Sequence, residues 1–330
     1  MTKESIPKKS SAESSQSNIK GQQSDVAKHI PVLLNEVLKI IDPIPDKFII
    51  DGTANGGGHL AAIMERMEFR GTILAVEWDR SVFERTRDRF NSEFKIQNSK
   101  LEIHWANENY ANIPEILQRE KLGKADGLLL DLGFSSEQLE SGKGFSFKTI
   151  EKGDEPLDMR YDRRHGRLTA AEAINSLREE ELADIIFKYG EERFSRYIAK
   201  GIVEARKVDR IIAVKDLVEV IRKAVPKFFK KGEADIIART FQALRIYIND
   251  ELGNVERILR NLPEVMNKGG IIAIISFHSL EDRLVKNHFK KLEEDGIARI
   301  LTKKPITPAE EEIKGNPASR SAKLRAIRIN

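Results

Sequence analysis

The sequence predicts an α/β fold, an open Rossmann-like sheet of mainly parallel strands, interrupted by an inserted all-helical domain. Three observations carry this. The apolar run Phe48-Ile-Ile ends at Asp51 in a glycine cluster, Gly52-Thr-Ala-Asn55-Gly56-Gly57-Gly58-His59. Leu60, Ala61, Ile63, Met64 and Met67 then recur at helical spacing, so strand, turn and helix follow one another. Far downstream, Ile271-Ile-Ala-Ile-Ile-Ser276 reads as a central strand buried on both faces, while the stretch over 141–235 contains helical periodicity and no strand. The sheet therefore resumes after the insertion, and its domain is discontinuous, 29–140 and 236–330.

The glycine turn points to a ligand. Gly56-x-Gly58-x-x-Ala61 fits the looser dinucleotide fingerprint, in which glycines let a ligand approach backbone N–H groups at a helix N-terminus. The nearby acids narrow the choice. Asp51 ends the first strand, and Glu77 closes the second, Thr72-Ile-Leu-Ala-Val-Glu77, at the spacing of a ribose-binding acid. Asp131 ends the strand Gly127-Leu-Leu-Leu-Asp131. Parallel strands end on one sheet edge, so three carboxylates face one crevice. Such a crevice repels a pyrophosphate and suits a cation carrying a ribose. S-adenosylmethionine, with a sulfonium and an ammonium, fits better than NAD. Helix capping is the alternative role for Asp51 and Asp131.

Composition bounds the rest. Of the 330 residues 40% are apolar and 33% charged, enough for a globular core. Without any Cys, disulfides and thiolate metal sites are excluded. The six His are scattered and none pairs at ligand spacing, so no metal site is expected. No apolar run approaches the ~20 residues of a membrane span. The first residues lack the apolar core of a signal peptide, so a cytoplasmic protein is expected. The net charge of +4 is uneven: 12 Lys/Arg against four Asp/Glu lie between Arg193 and Lys231. That block suits an anionic polymer, with solvated helix faces as the alternative.

In chain order, residues 1–28 form a Ser-, Gln- and Lys-rich tail expected to be disordered, because it buries too little to offset chain entropy. A helix after His29-Ile-Pro packs on the sheet. Leu101-Glu-Ile-His-Trp105 is a third strand, followed by a polar loop ending at Tyr110. Tyr110 suits the face of an adenine, or an ordinary core position. Asp131 is followed by a Gly/Ser loop that reaches Gln138. Irregular segments then lead to the capping box Thr169-x-x-Glu172 and helices through Ile186, over 194–206 and over 214–225, stopped by Pro226. A strong helix is expected over 236–252 and another over 252–266, broken at Pro263. After the central strand comes Phe277-His278-Ser-Leu-Glu281-Asp282-Arg283, and the alternating Lys323-Leu-Arg-Ala-Ile-Arg-Ile329 reads as a final edge strand.

These segments together resemble the RsmH, or MraW, family of 16S rRNA cytosine-N4 methyltransferases. The likeness rests on His29-Ile-Pro-Val-Leu-Leu, Asp51-Gly-Thr with Gly57-Gly58-His59, Asp131-Leu-Gly-Phe-Ser-Ser-Glu-Gln138, Pro156-Leu-Asp-Met-Arg160, Arg239-Thr-Phe-Gln-Ala-Leu-Arg245 and Ser276-Phe-His-Ser-Leu-Glu-Asp-Arg283. The resemblance implies a class I methyltransferase sheet, S-adenosylmethionine as methyl donor, and N4 of a cytidine in the decoding region of 16S rRNA as acceptor. The 30S subunit would be the partner, and a homodimer is plausible in this family. Carried onto matching positions, Gly57, Gly58, His59, Glu77, Tyr110, Asp131 and Gln138 would contact the cofactor, with Asp51 second in rank for the methionine ammonium. The chain departs from the family at Asn55, where Gly is usual, at Glu77, where Asp is common, and at Tyr110, where Phe is frequent. Many amino-methyltransferases carry an Asn/Asp/Ser-Pro-Pro-aromatic tetrad after the fourth strand; here Asp131-Leu-Gly-Phe134 stands instead. Asp131 is the catalytic candidate, Phe134 a base-positioning one, and His278, Arg283 and the basic insertion candidate RNA contacts.

Overall fold

The computed structural model describes residues 31–94, 100–133, 136–139, 141–147, 154–164, 168–226 and 232–330. Thus Phe134 and the tail expected over 1–28 lie outside the described residues. The strands are β1 (Lys47–Asp51), β2 (Arg70–Val76), β3 (Lys100–Ala106), β4 (Ala125–Asp131), β5 (Met266–Ser276), β6 (Ala298–Ile300) and β7 (Lys323–Ile329). They form one sheet in the order β3-β2-β1-β4-β5-β7-β6, with β7 antiparallel to both its neighbours. The sequence puts β7 at the edge. Instead the three-residue β6, too short to show a pattern, pairs outside it and covers that edge.

Alternation along each strand sends side chains to two helical layers. Ile49, Ile73, Ala75, Leu129, Ala273 and Ile275 pack under α1 (Leu34–Ile41), α2 (Gly58–Arg66) and α3 (Arg80–Glu93). Ile50, Leu74, Val76, Leu128, Leu130, Ile272 and Ile274 pack under α4 (Ile113–Arg119), α11 (Glu251–Val265) and α12 (Ser279–Glu294). Each fully buried aliphatic side chain contributes roughly 1.5–3 kcal/mol through removal from water. The expected break at Pro263 does not occur. α11 runs through the proline, which costs it the N–H that would bond the Leu259 carbonyl.

After the short α5 (Ser136–Leu139), the insertion is built from α6 (Ala170–Ser176), α7 (Glu179–Gly190), α8 (Ser195–Ala205) and α9 (Val214–Ala224). α10 (Glu233–Asn249) completes it, and α13 (Glu310–Gly315) lies near the C-terminus. Ile174, Leu182, Ile186, Ile198, Ile202, Leu217 and Ile221 form a second core, to which α10 adds Ile236, Ile237, Phe241, Leu244 and Ile248. The division drawn at 235/236 from sequence assigns α10 to the sheet, whereas its buried face belongs to the helical core. α10 also ends at Asn249 rather than running on to 252, because Asp250 takes a left-handed φ of 51°.

Polar contacts fasten the two parts. Lys143 Nζ donates to the buried Asp79 carboxylate at 2.6 Å, and Arg164 Nη2 to Asn107 Oδ1 at 2.8 Å. Asn249 accepts from Tyr161 N and donates to the Met159 carbonyl. Glu191, which closes α7, accepts from Ser279 Oγ and Arg283.

Phe90 of α3 anchors the layer beneath the glycine turn. Its fully buried ring stacks on Phe94 at 4.8 Å and meets Trp105 edge-on at 5.7 Å. Phe90→Ala is expected to lower stability by about 3–5 kcal/mol, read by urea denaturation. A loss under about 1 kcal/mol would show that the turn does not rest on this ring.

Candidate cofactor and substrate site

The chain leaves β1 outward through β2 and β3 and then returns to β4 on the other side of β1. The crevice of such a sheet lies at this switch point, beyond the carboxyl ends of the strands. Register sets the acids there side by side: Asp51 aligns with Ala75 of β2 and with Leu129 of β4, two residues before Asp131. The turn after β1 is held by Gly52 N donating to the Leu129 carbonyl and Ala54 N to that of Val76. Asn55 takes a left-handed φ of 46°, the conformation its side chain tolerates, and its N–H donates to Glu77 Oε2 at 2.8 Å.

These carboxylates are buried with little compensation. Asp51 accepts from Thr53 N at 3.2 Å through Oδ1, while its buried Oδ2 has no hydrogen-bond partner. Burial, opposed by the Thr53 N–H and reinforced by Asp131, lifts its pKa from 3.8 to about 7. Glu77 accepts from Asn55 N and Asp79 N, yet burial and the neighbouring Asp79 and Asp51 lift it from 4.5 to about 8. Asp131 Oδ1 accepts from Gly133 N. His59 lies 3.7 Å from Asp131 Oδ2, but this is no ion pair. Its Nε2 faces the Val32 carbonyl at 3.0 Å and so carries the proton, and burial drops its pKa to about 4. The ring is neutral and turns an acceptor, Nδ1, towards the carboxylate.

The pocket is lined by Gly52, Thr53, Asn55, Glu77, Trp78, Tyr110, Asp131, Leu132, Gly133, Gln138, Tyr161, Glu251, Asn254 and Glu281. Of the residues expected from sequence, Glu77, Tyr110, Asp131 and Gln138 meet here. Gly57, Gly58 and His59 do not line it. Gly57, at φ 75° beginning α2, leaves no room for a Cβ above the Phe90 ring; Gly58 abuts Pro31; His59 turns inward to Val32. They shape the turn, and Gly52, Thr53 and Asn55 present it to the pocket.

Sequence reasoning missed the opposite wall. Trp78 follows Glu77 directly, and its ring meets Tyr161 of the insertion at 5.3 Å, which stacks on Phe145 at 5.2 Å. The Tyr161 hydroxyl donates to Glu251, whose carboxylate takes two bonds from Arg245 at 2.8 and 3.0 Å. Burial and the charges of Glu251 and Glu281 hold both the Tyr110 and Tyr161 phenols well above their usual pKa, so both stay neutral donors. Arg239 and Arg245 serve different partners, as their spacing of six suggests: Arg239 pairs with the buried Glu192. His278, an RNA candidate from sequence, is instead the N-cap of α12. Its Nδ1 accepts from Glu281 N at 3.3 Å, so the proton sits on Nε2, 3.1 Å from Glu281 Oε1. Glu251, His278 and Glu281 gather ligand-type atoms within 4.8 Å, but that tautomer offers a metal a donor rather than a lone pair, and Arg245 already occupies Glu251.

An uncompensated acidic edge, a ribose-type acid and aromatic walls fit a cationic nucleoside. A family model described as the MraW methylase family matches residues 26–330. The chain belongs to the MraW methylase family. It is an S-adenosylmethionine-dependent methyltransferase. It is 40% identical over 313 residues to a Clostridioides difficile (strain 630) protein named ribosomal RNA small subunit methyltransferase H, covering 90% of this chain and 97% of that one. Proteins of the same name from Rickettsia canadensis (strain McKiel), 42% identical over 318 residues, and Desulfotalea psychrophila (strain LSv54 / DSM 12343), 41% over 298, cover 91% and 90% of this chain and 97% and 96% of their own length.

A cofactor held at these buried acids is expected to bind in a pH-dependent way. Without ligand, folding raises the Asp51 and Glu77 pKa values, so the folded chain holds these protons more tightly than the unfolded one. Apo stability contributed this way is full below pH 4 and lost as pH rises through 7–8. Ribose hydroxyls and an ammonium favour the ionised carboxylates and drive the protons off. Affinity for S-adenosylmethionine should therefore rise from about pH 6 to about pH 8.5, with proton release detected by calorimetry in two buffers of different ionisation enthalpy. Glu77→Gln should weaken binding and flatten that rise; a pH-independent affinity without proton release would contradict the assignment.

Proposed function

We propose that the enzyme methylates the exocyclic N4 of a cytidine in the decoding region of 16S rRNA within the small ribosomal subunit. The observation that carries this reading is the coincidence of the acidic crevice with relatives, alike over nearly their whole length, that are named for the small-subunit rRNA. In the binding role, Glu77 would hold the ribose hydroxyls, Trp78 and Tyr110 would flank the adenine, and Asp131 would face the methionine ammonium, with Asp51, buried behind the pocket lining, second in rank. Gln138 would close the site. The cofactor supplies a methyl group activated by a positive sulfur.

The chain supplies alignment and an acceptor. Cytosine N4 is a weak nucleophile because its lone pair is delocalised into the ring. A carboxylate that accepts an N4–H bond helps to localise the pair and later to take up the proton. Asp131 is positioned for this by its strand end and by Gly133 N, while Thr53 Oγ1 accepts from Asp131 N at 2.7 Å. Gly133 lies against the Phe277 ring, which brings the end of β5 beside Asp131. Positioning of donor and acceptor contributes most of the rate in such transfers.

Affinity for the RNA would come from the basic insertion, since phosphate contacts position the substrate while base contacts specify it. The target base must be single-stranded or turned out of its stack. A cytoplasmic location and a homodimer complete the proposal, the latter tested by sedimentation. No helix among the described residues is long and apolar enough to cross a membrane.

The test is transfer of labelled methyl to 30S subunits lacking the modification, with free 16S rRNA and duplex DNA alongside, followed by nucleoside mass analysis. N4-methylcytidine from one rRNA site is expected; label only in DNA would favour a DNA cytosine-N4 enzyme. Asp131→Asn is expected to cut turnover about 10²–10⁴-fold, the usual span for a proton acceptor. Full turnover in that variant, with cofactor bound normally, would exclude Asp131 as the acceptor.

A further inference from the structure

We propose that the outward face of α8, with the end of α7, is a platform that stacks and holds the single-stranded RNA flanking the methylated base. This rests on the function proposed above and adds where the strand lies.

On α8, Arg196, Tyr197 and Lys200 are exposed, and spacings of three and four residues bring Lys200 to the same side as the adjacent pair Arg196 and Tyr197; Lys200 pairs with Glu204 at 3.8 Å, and Arg193 is exposed just before the helix begins. Two rings stand open in this neighbourhood: Tyr197 on α8 and Phe187 on α7 each leave 59% of their surface in water. Among the described residues no other aromatic ring is exposed to this extent. Tyr197 leans on Phe194 at 6.4 Å, and the Arg193 guanidinium sits 4.9 Å above the Phe194 ring. Arg196 has no acidic partner among the described residues.

The patch is continuous with the catalytic edge. Glu191 joins α7 to α8, lies one turn beyond Phe187, and bonds Ser279 and Arg283 at the start of α12. That start follows β5 by two residues, and the first of them, Phe277, abuts Gly133 near Asp131. A strand whose target base enters the pocket thus leaves along α7 and α8.

The chemistry selects one occupant. An aromatic face accepts the face of any nucleobase, and the guanidinium and ammonium groups beside Tyr197 on α8 can pair with phosphates. A duplex has its base faces covered and cannot use the rings. An apolar protein surface would offer the Arg196 guanidinium no opposite charge.

The experiment measures fluorescence anisotropy of a labelled single-stranded RNA of about twelve nucleotides and of the matching duplex. The full-length protein is compared with Tyr197→Ala, Tyr197→Trp, Phe187→Ala and Arg196→Ala, each checked by S-adenosylhomocysteine titration. Tyr197→Ala is expected to weaken single-strand binding about tenfold, within the range for one stacked base, while Tyr197→Trp retains it. Arg196→Ala should lower the slope of log affinity against log salt by about 0.7. Cofactor affinity should be unchanged throughout. Wild-type affinity in both Tyr197→Ala and Phe187→Ala would overturn the platform and leave the proposed reaction standing. Unchanged binding of free RNA with lost activity on 30S subunits would overturn it in favour of a ribosomal protein at this face. A wild-type enzyme that binds cofactor and methylates no RNA would overturn the proposed reaction itself.

Discussion

The structure depends on carboxylates that its own fold leaves short of positive charge. Parallel strands ending on one edge bring Asp51, Glu77 and Asp131 within reach of one another, and burial denies them the water that would screen their repulsion. Backbone N–H groups of the surrounding turns give partial relief, two to Glu77 and one to Asp51. The remainder is a cost carried by the protein, seen in the raised Asp51 and Glu77 carboxyls, which a cationic, hydroxyl-bearing ligand would relieve.

The second half of the pocket has the opposite character. Glu251 and Glu281 are equally buried but compensated, by Arg245, by the Tyr161 hydroxyl, and by the His278 ring with the Phe277 and His278 N–H groups just before α12. Burial alone would raise the Glu281 carboxyl; these partners hold it below its usual value. One wall therefore waits for charge, while the other is fixed in shape. The fixed wall is where the helical part meets the sheet, since Tyr161 precedes the insertion's helices and Glu251 begins the helix that returns to the sheet.

That junction explains why an insertion of this size can serve a small-molecule site. Lys143 closes on Asp79, next but one to Glu77, and Arg164 binds Asn107, which itself donates to the Glu77 and Trp78 carbonyls. Glu191 ties α7 to the start of α12 on the other side of the crevice. Movement of the helices against the sheet would alter both ends of the pocket, so substrate and cofactor binding share a frame.

Much of this was legible in the residues alone. Period-two and period-3.6 patterns located the central strands and most helices, and strand-end acids after a glycine turn indicated the ligand's charge, because in parallel sheets chain direction alone decides which edge an acid occupies. Sequence did not reveal β6, whose three residues carry no period, nor the continuity of α11 through Pro263, which local propensity disfavours. It did not show that His59 turns to the Val32 carbonyl or that His278 caps α12, since the backbone partner of a polar ring depends on how the chain packs around it. Trp78, Tyr161, Glu251 and Glu281 became one wall only when the insertion folded back, bringing together residues more than a hundred positions apart. Local pattern determined the elements and the acidic edge; tertiary packing decided which side chains look into the pocket, because only packing sets what each buried polar group has left to bind.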